Sequence, residues 1–355
     1  MKLKLLGLII SFLLLCTILS GCGGKSGTWV DYVYMSPNGE YIISDDGKSI
    51  QFWNVTTQKE IVYDRDEEGY YCWSPTGQYI AKNGKIREFP SMKEIANFSG
   101  YFFDWSANGE IFVSMGDVNS TYDNELKIEL FNTTDFSIIK TIFMDDSLYI
   151  KLRIKVSPDG TKILYYSTSS NSLKVVDTES ENITLLCDFD DIKHPCDVEG
   201  IDGFKLWFSW SSDGKYIGVA THYYLQCWNN FLINSENGEL ISNSTITTVL
   251  YRFGTVDFSP DCNKISYCNS HVEIWNLSNG ETIKVLSDDE CVSVDWSLNG
   301  EKIATGGAGI IKVYDMYTGE LLASMKTKEY NVPGFEMIIA IFAIALILLR
   351  KQKTI

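Results

Sequence analysis

The chain has 355 residues, 45% of them hydrophobic and 13% aromatic, and a formal net charge of −16. An acidic surface repels the phosphate backbone, whose binding rests on Lys and Arg contacts, so nucleic-acid binding is excluded as a function. Between the ends the acidic excess is larger still, because Lys2, Lys4, Arg350, Lys351 and Lys353 all sit at the two termini.

In chain order, residues 1–22 come first. Lys2 and Lys4 precede an apolar run from Leu5 to Leu19, which ends in Leu19-Ser20-Gly21-Cys22. A charged start, an apolar middle and a small-residue end make a signal helix rather than part of a fold. The segment resembles a lipoprotein signal with its lipobox, and the resemblance implies that Cys22 becomes the acylated first residue of the mature chain. Residues 23–28 read as a short linker.

From residue 29 to residue 325 one phrase recurs seven times: an apolar strand, Ser, a turn that is usually Pro-Asn/Asp-Gly, and a second strand. Its serines are Ser36, Ser74, Ser106, Ser157, Ser211, Ser259 and Ser297. Short strands repeating at roughly 40–45 residues predict a blade-by-blade propeller. Pro fixes φ at the first turn position, Asn or Asp tolerates left-handed backbone, and Gly takes positive φ freely, so each phrase is a tight antiparallel hairpin. The sixth copy, FSPDCNKI, puts Cys262-Asn263 in place of the glycine step, and Asn263 is expected to supply the positive φ there. The aromatics before Ser (Trp73, Trp105, Trp210, Phe258 and Trp296) are expected to wedge between blades as core. Each phrase continues into a third and a fourth strand. The third ends in pairs such as Trp53-Asn54, Trp275-Asn276 and Tyr314-Asp315, and turns of the form NGELI or TGELL follow.

On these residues the chain resembles the WD-repeat β-propeller family. The resemblance implies an all-β fold, a seven-bladed propeller of four-stranded antiparallel blades, that serves as a platform for protein binding. Three His are present, His194, His222 and His271, and none follows Gly, so the Gly-His pair of the strict subclass is missing.

Acids gather in the links that join one blade's outermost strand to the next blade's innermost strand. They are Asp64, Asp66, Glu67 and Glu68, then Asp145 and Asp146, then Asp188, Asp190 and Asp191, and finally Asp288, Asp289 and Glu290. Such links share one face of a propeller, so one rim is expected to be strongly negative and to attract cations, weakly bound calcium among them, or a basic partner. Cys187 and Cys196 flank CDFDDIKHPC and are a candidate disulfide, while Cys72 and Cys291 read as buried small residues on innermost strands. Zinc spacing is absent, and no resident metal or cofactor is expected. Asn119, in GDVNSTYDNE, is the best-placed of the Asn-x-Ser/Thr glycosylation sites.

Residues 326–331 read as a linker and residues 332–355 as a C-terminal transmembrane helix. Met337 to Leu349 is apolar and Arg350, Lys351 and Lys353 form a basic stop, which places the propeller on the extracytoplasmic side. Pro333-Gly334-Phe335 before this run resembles the archaeal surface-protein sorting tail, which implies processing near the tripeptide and an archaeal cell-surface location. No nucleophile elbow, phosphate-binding Gly loop or metalloprotease helix is present, so no catalytic residue is assigned. The reading that emerges is a membrane-tethered scaffold that binds a protein or surface ligand. A surface hydrolase or lyase acting on glycans through rim carboxylates, or an envelope-assembly lipoprotein, are the alternatives. Three or more buried carboxylates converging at the channel mouth would favour the enzyme, and a flat, acidic, unpocketed rim the binding module.

Overall fold

A computed structural model describes residues 30–47, 49–64, 70–117, 126–144, 154–167, 169–189, 205–223, 227–247 and 255–327. The terminal signal and anchor segments, with Cys22 and Pro333-Gly334-Phe335, lie outside the described residues, as do Cys196 and Asn119.

Seven four-stranded blades follow one another along the chain, each ordered from innermost to outermost strand. Blade one is β1 (Tyr32–Met35), β2 (Tyr41–Asp45), β3 (Ile50–Asn54) and β4 (Lys59–Asp64). Blade two runs from β5 (Cys72–Trp73) to β8 (Lys93–Asn97), blade three from β9 (Phe102–Trp105) to β12 (Ile138–Met144). Blade four runs from β13 (Ile154–Val156) to β16 (Ile183–Asp188), and blade five from β17 (Lys205–Trp210) to β20 (Leu240–Thr247). Blades six and seven form one six-stranded sheet, from β21 (Val256–Phe258) to β26 (Leu321–Lys326). They merge because β22 (Lys264–Asn276) supplies both middle strands of blade six. In turn β23 (Thr282–Trp296) passes from the outer strand of blade six into the inner strand of blade seven without a break. The Asp288-Asp289-Glu290 link expected as a loop is therefore strand backbone.

The repeated serine explains the repeated phrase. In blade four the Ser157 hydroxyl donates to Asp159 Oδ1 at 2.7 Å and accepts from the Lys162 amide at 2.9 Å. The same bridge forms at Ser36, Ser106, Ser211, Ser259 and Ser297, and at Ser74 with Thr76 as the side-chain partner. All seven serines are buried, and each hydroxyl satisfies a part-buried turn amide. In the sixth copy it is Cys262 itself, at φ 51°, that takes the left-handed conformation, not Asn263. The turn keeps its geometry because Asp261 and Ser259 hold it, and the Cys262 side chain is fully buried against blade five. Every blade also slips register between its third and fourth strands, a bulge that increases twist.

The core lies between blades. One cluster joins Ile43, Ile50 and Phe52 of blade one to Tyr71, Trp73 and Ile80 of blade two, and another joins Trp53 and Ile42 to Ile311 and Val313 of blade seven. The aromatics before Ser lean back on the preceding blade as expected: Trp73 Nε1 donates to the Tyr34 carbonyl and Trp210 Nε1 to the Lys155 carbonyl.

Blade seven carries its own outermost strand, β26, and shares no sheet with blade one; two single backbone hydrogen bonds cross the seam between them, Val30 N to Gly307 O and Leu298 N to Pro37 O, both at 3.1 Å. Cys291 departs from its reading as a small apolar residue: it is disulfide-bonded to Cys268. The bond forms because Cys268 ends the second strand of blade six where the inner strand of blade seven begins, with the Cα atoms 5.3 Å apart.

Candidate functional site

Around the axis, the residue two before each repeated Ser lines the channel mouth. Read around the ring, this position holds Tyr34, Cys72, Asp104, Lys155, Ser209, Asp257 and Asp295. They line a cavity of about 260 Å³ at the mouth where the Ser-containing turns gather. Pro37, Pro75, Pro158, Pro260 and Leu298 from those turns form an apolar collar above the polar ring. The turns lock together across blades, as when the Ser212 amide donates to the Pro260 carbonyl at 2.7 Å.

Three of the ring residues are carboxylates, and each holds the next blade. Asp104 Oδ2 accepts the Val156 amide at 2.9 Å, Asp257 Oδ2 the Trp296 amide at 2.8 Å, and Asp295 Oδ2 the Met35 amide. Asp104 also pairs with Lys155, Nζ to Oδ1 at 3.3 Å, and receives the Cys72 thiol at 3.5 Å. Burial works against the Lys155 charge, but Asp104 and the other anions facing it outweigh that and hold its ammonium well above the usual range. Burial, then the charge of Asp104, push the Cys72 thiol well above its ordinary value. Cys72 is thus a half-buried, channel-facing donor that also packs against the core between blades two and three.

Asp257 and Asp295 touch each other across the seam between blades six and seven. Burial raises Asp257, although the Trp296 and Phe258 amides pull against it. Burial first, then the charge of Asp257, push Asp295 well above the carboxylate range. Contact between the two half-buried carboxyls favours protonation, and the Lys155 ammonium pulls the other way on both.

The acidic links lie at the opposite end of the ring. The links between blades leave the ring at the end away from the Ser turns, because the strands alternate direction. Among the rim acids, only Asp188 has a described side chain, and it is half-buried at the end of β16. Asp64 and Asp288, Asp289 and Glu290 are described as strand backbone alone, and Asp66, Glu67, Glu68, Asp145, Asp146, Asp190 and Asp191 lie outside the described residues. Among the described residues no three His, Cys, Asp or Glu side chains converge as metal ligands. The channel ring is the column two residues before the repeated Ser, a column that changes chemistry from copy to copy, as the column four residues after the Ser also does.

No family model matches the chain, and no curated protein is similar to it by sequence. By structure, 1274 solved chains match, so the fold by itself selects no activity. One of them, titled Kuenenia stuttgartiensis Hydrazine Synthase, superposes with a TM-score of 0.55 at 14% identity, covering 86% of this chain and 97% of that one. At that identity the likeness is one of fold: this chain is built as a seven-bladed β-propeller.

Proposed function

We propose that the chain is an extracytoplasmic, membrane-tethered propeller that works as a binding scaffold for a protein or surface ligand. The observation that carries this is the channel-mouth cavity, a concave site with an apolar collar and a few convergent polar groups, which is the usual form of a ligand site. The Cys268–Cys291 disulfide supports an oxidising compartment. Tethering rests on the lipobox with Cys22 and on the tail with Pro333-Gly334-Phe335, and an archaeal surface location on the same tail. The WD-like phrase supports a protein partner, and the acidic links support a second, cation- or base-attracting rim. Cross-linking on intact cells, followed by mass spectrometry of the captured partners, tests the scaffold reading. Partners mapping to the collar residues support it, and a surface that captures nothing reproducible counts against it. Replacing Cys22 with Ser should abolish N-terminal lipid labelling, and unchanged labelling would refute the tether.

A surface hydrolase or lyase is the second reading, favoured by the three carboxylates that line the cavity. Asp257 and Asp295 are hydrogen-bonded to each other and to the Trp296 and Met35 amides, so the pair is not set as two separate carboxyls flanking a glycosidic bond. Glycan turnover lost in Asp104→Asn would establish this reading over the first.

A further inference from the structure

We propose that the channel mouth binds a neutral pyranose, its C–H face stacked on the Tyr70 and Tyr34 rings and its hydroxyls turned toward Lys155 and Ser209. This deepens the scaffold reading, rests on its placement of the ligand at the channel mouth, and names the surface ligand as a carbohydrate.

The aromatic half of the mouth is not dictated by the architecture. Four residues before the repeated Ser, blades six and seven carry Thr255 and Ser293, whose hydroxyls accept the Val294 and Val33 amides and so tie neighbouring blades. The same position holds Tyr32 in blade one and Tyr70 in blade two, and 47% and 40% of their surfaces stay exposed. Tyr34, at the ring position, stacks on Tyr32 at 6.3 Å and lines the cavity together with Tyr70. A large ring gains most when it is buried, so exposed tyrosines beside a cavity offer aromatic surface to a ligand. The rings are also braced. Tyr34 packs on buried Tyr71 at 5.6 Å and meets Tyr70 edge to face at 5.8 Å, while Tyr70 rests on Phe103 at 5.5 Å. A platform fixed before binding loses little side-chain freedom when the ligand arrives.

The other half is polar, and its charges are matched within the ring. Lys155 pairs with Asp104 and faces Asp257 and Asp295, whose carboxyls bond to each other and to the Trp296 and Met35 amides. No counter-ion is called for, so the ligand that fits is uncharged. The Lys155 ammonium has three donors, of which the bond to Asp104 takes one, and the Ser209 hydroxyl makes only a long bond, 3.4 Å, to the Trp210 carbonyl.

A pyranose matches both walls. Its polarised C–H bonds meet the negative face of an aromatic ring, and its hydroxyls supply acceptors and donors to Lys155 and Ser209. A partner's phenyl ring would stack equally well but would cover the polar wall without satisfying it. The cavity, at about 260 Å³, falls below the roughly 300–1,000 Å³ of sites for drug-sized ligands, which suits one sugar ring. A free sugar and the terminal residue of a surface glycan share this chemistry.

The test is saturation-transfer NMR on the full chain, held in a detergent without a sugar headgroup. The probes are the methyl α-pyranosides of glucose, mannose and galactose, with glucuronate and p-cresol for comparison. At least one pyranoside should bind, with the strongest transfer to the C–H protons of one ring face, and glucuronate and p-cresol at least about tenfold more weakly. Tyr70→Ala should weaken the pyranoside by about tenfold or more, whereas Tyr317→Ala, at an exposed tyrosine outside the cavity, should leave it bound. Melting curves confirm that each variant folds, and the proton map on the wild-type chain decides if Tyr70→Ala does not. The matching trisaccharide binding at least about tenfold tighter than the pyranoside would name a glycan chain as the source, and equal affinities a free sugar. No binding of any pyranoside, glucuronate or p-cresol binding as tightly, transfer spread evenly over both faces, or binding unaltered in Tyr70→Ala would overturn the proposal. Partners cross-linked to the collar would in that case leave the scaffold reading standing.

Discussion

Ser157 shows what one side chain does in this fold. Its buried hydroxyl joins the exposed Asp159 carboxylate to the Lys162 amide. Ser157→Ala fits the space but orphans that amide, so unfolding free energy should fall by about 1–3 kcal/mol, read from a lower denaturant midpoint at unchanged slope. Glycines at turns differ in the same concrete way. Gly238 has φ 73°, and a Cβ there would lie 2.2 Å from the Leu186 carbonyl oxygen of blade four, whereas at Gly109, φ 75°, a Cβ meets open space. Gly109→Ala should cost only the left-handed backbone, about 1–2 kcal/mol, and Gly238→Ala at least about 2 kcal/mol more, because a backbone oxygen must move. Thermal melts of the two variants side by side check the difference.

At the scale of elements, the long strands β22 and β23 make blades six and seven a single sheet, and the Cys268–Cys291 bond ties them where the chain changes blade. The bond closes a loop with a sequence separation of 23 residues, which corresponds to about 3 kcal/mol of stabilisation on the chain-entropy account. Reductant should therefore lower the melting temperature of the wild-type chain and leave that of a Cys268→Ser, Cys291→Ser double variant where it was. A wild-type melt insensitive to reductant would show that the cross-link contributes nothing. Exposed apolar residues such as Ile138, Phe143, Leu185, Leu240 and Leu322 lie on outermost strands, each of which is a sheet edge.

For the whole molecule, pH acts through two opposed sets of carboxyls. In the channel, Asp257 and Asp295 have raised pKa values, so the folded state holds a proton that the unfolded chain has lost. Their contribution is fully present below the unfolded value near 3.9 and is lost as pH rises through the folded value. On the surface, the Ser211 hydroxyl and the Lys215 amide hold Asp213 below its ordinary range, and the Ser180 amide and hydroxyl hold Asp177 there. Those contributions are present above the unfolded value and disappear as pH falls. Asp295→Asn keeps an acceptor for the Met35 amide but cannot ionise. The drop in melting temperature between pH 5 and pH 8 should be smaller in this variant than in wild type, while its loss of stability below pH 4 should be unchanged. Equal drops from pH 5 to pH 8 would mean that the pair does not titrate as a buried unit.

What the sequence determined by itself is periodic. Seven copies of strand, Ser, turn and strand specify seven hairpins, and alternation along each strand specifies which aromatics wedge between blades, because both depend on local backbone preference and burial. Features that depend on two distant copies meeting were decided by tertiary structure alone. Cys268 reaches Cys291, Asp257 reaches Asp295, and Val30 and Leu298 bond across the closing seam, because the ring brings blade six against seven and seven against one. The acidic links drew attention by density, yet the described cavity lies at the opposite mouth, where one residue from each blade contributes to a ring. Charge density is visible along a chain, whereas convergence on an axis exists only once the ring has closed.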